Sequence, residues 1–113
     1  MIKLYHNPRC RKSREALELL RDKNLEINVV EYLKEPLSKE ELANVIQLLG
    51  IHPADLIRKN EAEYKEHYKG KDLSSDQWID AMVQFPKLME RPIVINGNKA
   101  IVGRPSENVL EVL

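Results

Sequence analysis

Within its first 32 residues the chain changes hydrophobic period twice, and that alternation restricts the fold more than any other feature of the sequence. Ile2 and Leu4 alternate with Lys3 and Tyr5, which is the period-two signature of a strand, and Asn7-Pro8 interrupts it. From Arg11 to Lys23, Ala16, Leu17 and Leu20 form an apolar stripe widened by Leu19, as on one face of a helix. Ile27, Val29 and Val30 then restore strand character between Glu26 and Tyr32. A strand-helix-strand order predicts parallel pairing through a right-handed crossover.

Glu35-Pro36 closes that segment, and Ser38-x-x-Glu41 is a capping box opening a helix with Leu42, Val45, Ile46 and Leu49 on one face. Gly50 is expected to end it. His52-Pro53 marks a further helical start with Leu56 and Ile57 as its apolar pair, and Asn60 to Lys71 is charged enough for a surface helix and loop. A second box, Ser74-x-x-Gln77, precedes Trp78, Ile79, Met82 and Val83, and Phe85-Pro86 stops that helix. Tyr64, Tyr68 and Trp78 read as packing residues.

The period then changes again. Ile93-Val94-Ile95 and Ala100-Ile101-Val102 flank Asn96-Gly97-Asn98, a strong hairpin signal. Gly103-Arg104-Pro105 leads into a last helix, with Pro105 at its first position and Val109, Leu110 and Leu113 on its apolar side. The order β-α-β, a helical insertion at about 38–89, and β-β-α predicts an α/β thioredoxin-like fold with a small mixed sheet. A single domain spanning 1–113 is expected, long enough to bury a core without disulfides or metal.

The one cysteine, Cys10, stands in His6-Asn7-Pro8-Arg9-Cys10-Arg11-Lys12-Ser13-Arg14, at the predicted turn from strand to helix. Thiolate is the nucleophilic form of cysteine, and a helix N-terminus with nearby cations favours it. Arg9, Arg11, Lys12 and Arg14 put cations against the positive end of a helix dipole, a local cost that points to an anion bound at the turn. A small buried core residue in a solvated basic face is the alternative reading.

Composition narrows the classes. Lys plus Arg and Asp plus Glu are 18 each, so a zero net charge argues against a general nucleic-acid binder. A lone cysteine closes no internal disulfide and the residues from Met1 to His6 carry no long apolar signal, so a cytoplasmic protein is expected. No apolar run is long enough to suggest a membrane span. No metal site or bound cofactor is expected, because His6, His52 and His67 lack paired ligand spacing and no Gly-rich phosphate loop is present.

Three further segments place arginine beside structural punctuation: Leu56-Ile57-Arg58-Lys59-Asn60, Glu90-Arg91-Pro92-Ile93-Val94 and Val102-Gly103-Arg104-Pro105-Ser106-Glu107. With His6-Asn7-Pro8-x-Cys10 and Ser13-Arg14, they resemble the ArsC family of glutathione- and glutaredoxin-coupled arsenate reductases, from Tyr5 to Leu113. The resemblance implies that Cys10 attacks arsenate and that Arg58, Arg91 and Arg104 bind the oxyanion and stabilise the thiolate. It also implies a cis-proline at Pro92 and supporting places for His6 and Ser13. Guanidinium forks suit such an anion because they stay charged and donate in pairs.

Reduction of As(V) to As(III) takes two electrons, and a lone thiol supplies half of a disulfide. A second thiol must be borrowed, so the resemblance implies glutathione as co-substrate and glutaredoxin as partner. Arg11-Lys12 stands where the better-characterised reductases carry Gly-Thr, and the sequence stops soon after the last expected helix; together these imply, by resemblance, a shorter branch of the family. Two other readings share the fold. An Spx-like regulator would bind RNA polymerase and would usually lack the Gly-Arg-Pro segment. A glutathione-dependent monothiol oxidoreductase would need Cys10 but not all three arginines.

Overall fold

Ile2 and Leu4 project into one buried layer because their strand, β1 (Ile2–His6), runs through the interior of a four-stranded sheet. The structure is a computed structural model and describes residues 2–113, in two compact units: residues 2–35 with Arg91–Leu113, and Pro36–Glu90. In the first unit the strand order is β2-β1-β3-β4. Strand β2 (Ile27–Glu31) runs parallel to β1 with Ile2 opposite Ile27, as the β-α-β reading requires. Strands β3 (Ile93–Asn96) and β4 (Lys99–Val102) continue the sheet antiparallel, with Leu4 opposite Val94. This mixed sheet with its crossover helix is a thioredoxin-like fold.

Helix α1 (Arg11–Arg21) and a C-terminal 3₁₀ helix (Ser106–Val112) close over the sheet, burying Ile2, Leu4, Ala16, Leu20, Val94, Val109 and Val112 together. Each of the Ile, Leu and Val side chains among them contributes about 1.5–3 kcal/mol through removal from water. The last element departs from the expected α-helix. Ser106, Val109 and Val112 are its buried residues, spaced by three, and three residues per turn puts them on one face. Val112 therefore takes the core place expected for Leu113, which is exposed. Pro105 stands one residue earlier than expected, as N-cap, and its carbonyl accepts the Asn108 N–H at 3.0 Å.

The hairpin is tighter than the triplet Asn96-Gly97-Asn98 suggests. Asn96 pairs with Lys99, leaving Gly97-Asn98 as a two-residue turn. Only Gly97 adopts a positive φ, 63°, the pattern of a type II′ turn with glycine at its first central position. Gly103 is constrained in another way. Its N–H donates to the Pro92 carbonyl at 2.8 Å, and a Cβ on it would lie 2.8 Å from both Pro92 Cγ and Val109 Cγ1. Both neighbours are buried, so neither yields easily. Gly103→Ala is expected to destabilise the protein by about 1–3 kcal/mol through overpacking, read as a lower urea midpoint. An unchanged midpoint would show that the backbone absorbs the methyl group.

The second unit is helical. Helix α2 (Lys39–Leu49) opens on Ser38 and Glu41, with both halves of the capping box formed, and ends on Gly50 at φ 68°. Helix α3 (Ala62–His67) is short, and α4 (Ser75–Gln84) opens on the Ser74 and Gln77 box. Helix α4 packs against α2, and Lys39 Nζ joins them by ion pairs of 2.9 Å to both Asp76 and Asp80. Tyr64 stacks on Trp78 with ring centroids 6.3 Å apart, and Tyr68 meets Phe85 edge to face.

Candidate active site

The turn between β1 and α1 is built by its own backbone and one asparagine. Asn7 Oδ1 accepts the Arg9 N–H at 3.0 Å, while the Asn7 carbonyl accepts the Cys10 N–H at 3.0 Å. Cys10 thereby becomes the N-cap of α1, with extended backbone and a carbonyl that accepts the Arg14 N–H. Its side chain makes no capping bond, and the first turn of α1 holds no acid. The sulfur thus stands at a helix end whose unsatisfied N–H groups and dipole favour negative charge. Cys10 is buried, with 9% of its surface exposed.

Arg104 reaches this sulfur from the segment after β4. Its Nη2 lies 3.5 Å from Cys10 Sγ, and its Nε donates to the Arg91 carbonyl at 2.8 Å. One guanidinium thus links the thiol to the main chain at Arg91-Pro92 through its Nε–Nη2 edge. The Arg91-Pro92 peptide is cis, and so is Arg104-Pro105. Asn108 Nδ2 donates to the Arg104 carbonyl at 3.1 Å. A donor that remains charged strengthens this contact whenever the sulfur carries negative charge.

The remaining cations of the turn divide between neighbours. Arg11 pairs with Glu15 at 3.0 Å, and Arg14 Nη1 donates to the Pro8 carbonyl at 2.9 Å. Ser106 hydroxyl is shared between Glu15 Oε2 at 2.9 Å and the Lys12 carbonyl at 3.3 Å, tying the 3₁₀ helix to α1. That hydrogen bond, helped by Lys12 and Arg11, holds the Glu15 carboxyl below its usual range.

Ser13 is fully buried, and its hydroxyl is committed to His6 rather than to the sulfur. Ser13 Oγ lies 2.6 Å from His6 Nδ1 and accepts the Asn7 N–H at 3.0 Å. Burial lowers the His6 pKa below its usual 6.5; the Glu31 carboxylate opposes that shift, and the Arg21 and Arg14 cations add to it. His6 Nδ1 and the Ser13 hydroxyl share one hydrogen, the histidine tautomer deciding which of them donates it. Because the unfolded chain takes up a proton on the imidazole first, His6 makes the folded state lose stability as pH falls below 6.5 and through the lowered native value. His6→Asn keeps a polar group near the Nδ1 position and removes the titration. It is expected to flatten the loss of urea midpoint between about pH 7.5 and about pH 5.5. An unaltered pH slope would place the titration elsewhere.

Arg58 belongs to the helical unit, in a pair of segments joined by the Ile57–Met89 bridge. Its N–H donates to the Leu88 carbonyl at 2.7 Å, and the Glu90 N–H donates to the Leu56 carbonyl at 2.8 Å. Its guanidinium meets two carboxylates: Nη1 donates to Glu61 at 2.8 Å, and Nε lies 3.2 Å from Glu90. Neither glutamate is singled out by the sequence. Arg58 and Glu61 at i,i+3 carry a readable pairing signal, whereas Glu90 arrives only through the pairing of distant segments. Among the described residues no group of three or more His, Cys, Asp or Glu could hold a metal ion, and no helix is long and apolar enough to cross a membrane.

A thioredoxin-like fold whose single cysteine caps the first helix, contacted by an arginine anchored beside a cis-proline, defines a one-thiol member of that fold class. The chain belongs to the ArsC family, which it matches over residues 5–112. It is 47% identical over 114 residues to the uncharacterized protein YfgD of Escherichia coli strain K12, covering 99% of this chain and 96% of that one. It is 42% identical to the arsenate reductase of Neisseria meningitidis serogroup A, covering 99% of this chain and 97% of that one. Among solved structures, the arsenate reductase from Vibrio cholerae superposes with a TM-score of 0.95 at 44% identity, covering 99% of this chain and 97% of that one.

Proposed function

We propose that this protein is an arsenate reductase that uses Cys10 as nucleophile and draws its second thiol from glutathione. The contact of Arg104 with Cys10 Sγ at the N-cap of α1 carries this reading, since it puts a fixed cation where a thiolate and an oxyanion would both need one. Kinship with the arsenate reductases of Neisseria and Vibrio supports the choice of oxyanion. Arg58, Arg91 and Arg104 bind arsenate in this reading, while His6, Ser13 and Pro92 hold the turn and the opposing segment in place.

The steps balance in atoms and electrons. Cys10 thiolate attacks arsenic and a protonated oxygen leaves as water, forming an S–As(V) bond. Glutathione thiolate then attacks Cys10 sulfur. The S–As bond breaks with its electron pair going to arsenic, so arsenite leaves and a Cys10–glutathione disulfide remains. Glutaredoxin removes that glutathione by thiol exchange. With one cysteine in the chain, no internal disulfide can replace the external thiol. A reducing compartment, the cytoplasm, fits such a cycle.

The test is arsenate-dependent NADPH consumption with glutathione, glutaredoxin and a glutathione-recycling system. Turnover is expected only when arsenate, glutathione and the protein are all present, and it should fall steeply without glutaredoxin. No arsenate-dependent turnover, or turnover undiminished without glutathione, would overturn the reading.

A further inference from the structure

Arg58 is one of three arginines assigned above to the oxyanion, and its surroundings differ from those of Arg104. Two carboxylates, Glu61 at 2.8 Å and Glu90 at 3.2 Å, take hydrogens on Nη1 and Nε. The three side chains are largely buried, with Arg58 19% and each glutamate 26% exposed. One bond is made through Nη1 and the other through Nε, so the two carboxylates meet the guanidinium at two separate donors and fix its plane.

The backbone makes this grip rigid. Residues 56–58 and 88–90 bond reciprocally through Arg58 to Leu88 and Glu90 to Leu56, about the Ile57–Met89 bridge. Glu61 is the N-cap residue of α3, yet its side chain makes no capping bond and turns to Arg58 instead. A capping bond stabilises a helix start, so the side chain forgoes a local bond for the contact with the arginine. Two carboxylates also reduce the net field of the cation, so what the cluster supplies is orientation, not charge.

We propose that Glu61 and Glu90 are positioning residues that fix the plane of the Arg58 guanidinium, so that the donors left to it receive the oxyanion. The inference rests on the assignment of Arg58 to arsenate binding and adds the two groups that aim it. A planar, pre-set fork loses less freedom on binding an anion than a mobile one. Loss of the acceptors should therefore appear in arsenate affinity before it appears in the chemical step.

The test is steady-state kinetics together with calorimetric titration of arsenate into wild type, Glu90→Ala, Glu90→Gln, Glu61→Ala and Arg58→Ala. Glu90→Ala and Glu61→Ala are expected to raise KM and the arsenate Kd by about tenfold, with kcat changed much less. Glu90→Gln, which keeps an oxygen acceptor for Nε, should recover most of that loss. Glu61→Ala supplies the answer should Glu90→Ala fail to fold, as judged by its urea midpoint.

Unchanged or lower KM in both alanine variants would overturn the proposal, the lower value meaning that the carboxylates compete with the anion. If Arg58→Ala weakens binding while the glutamate variants do not, the positioning inference fails and the arsenate reading stands. If wild type neither binds nor turns over arsenate, both fail.

Discussion

Cys10→Ser is expected to abolish arsenate turnover, by about a thousandfold or more, while the protein stays folded. Serine is nearly isosteric, but its oxygen neither reaches the thiolate's nucleophilicity nor forms the disulfide that supplies two electrons to arsenic. Stability should move the other way. Cys10 occupies an N-cap without making a capping bond, and serine is among the favoured residues there. The variant is therefore expected to be as stable as wild type or more so, by up to about 1 kcal/mol. A dead enzyme with a raised urea midpoint is the pattern of a residue kept for reactivity at the expense of its helix. Turnover above a tenth of wild type would mean that another group attacks.

Arg104→Ala is expected to lower kcat/KM for arsenate by about 10²–10³. The guanidinium does two things at once: Nε holds the Arg91 carbonyl at 2.8 Å, and Nη2 meets Cys10 Sγ at 3.5 Å. Lysine carries the charge without the fork and cannot make both contacts from fixed positions. Arg104→Lys should therefore recover little of the loss. Alkylation of Cys10 by iodoacetamide at fixed pH should slow in Arg104→Ala, where the sulfur loses its charged neighbour. A fully active lysine variant would reduce the role of Arg104 to charge alone.

Much of this architecture is written locally. The boxes at Ser38 and Ser74, the stop at Gly50 and the turn at Gly97 each depend on residues within four positions of one another, and each forms as its sequence indicates. The C-terminal helix is where local reading fails. Val109, Leu110 and Leu113 suit an α-helical face, but docking against α1 and the sheet selects a three-residue period and buries Val112 instead.

At the site, Cys10 is legible from its solitude and its basic surroundings. The bond between His6 and Ser13 is not, since it spans seven residues across a turn, and it redirects a hydroxyl that could otherwise serve the sulfur. Nor does the sequence indicate that Arg104 is anchored on the Arg91 carbonyl, or that Glu90 reaches Arg58. Those contacts depend on which distant segments the fold pairs, and single-residue types carry no record of that.

The central claim is that Cys10 reduces arsenate by ending in a disulfide with glutathione. It is tested most directly by the intact mass of the protein after one incubation with arsenate and glutathione, without glutaredoxin. The predicted result is one glutathione added to the wild-type protein, mapped to Cys10, matched by one arsenite released and dependent on arsenate. An unmodified protein, or a glutathione adduct that forms equally well without arsenate and releases no arsenite, would contradict it.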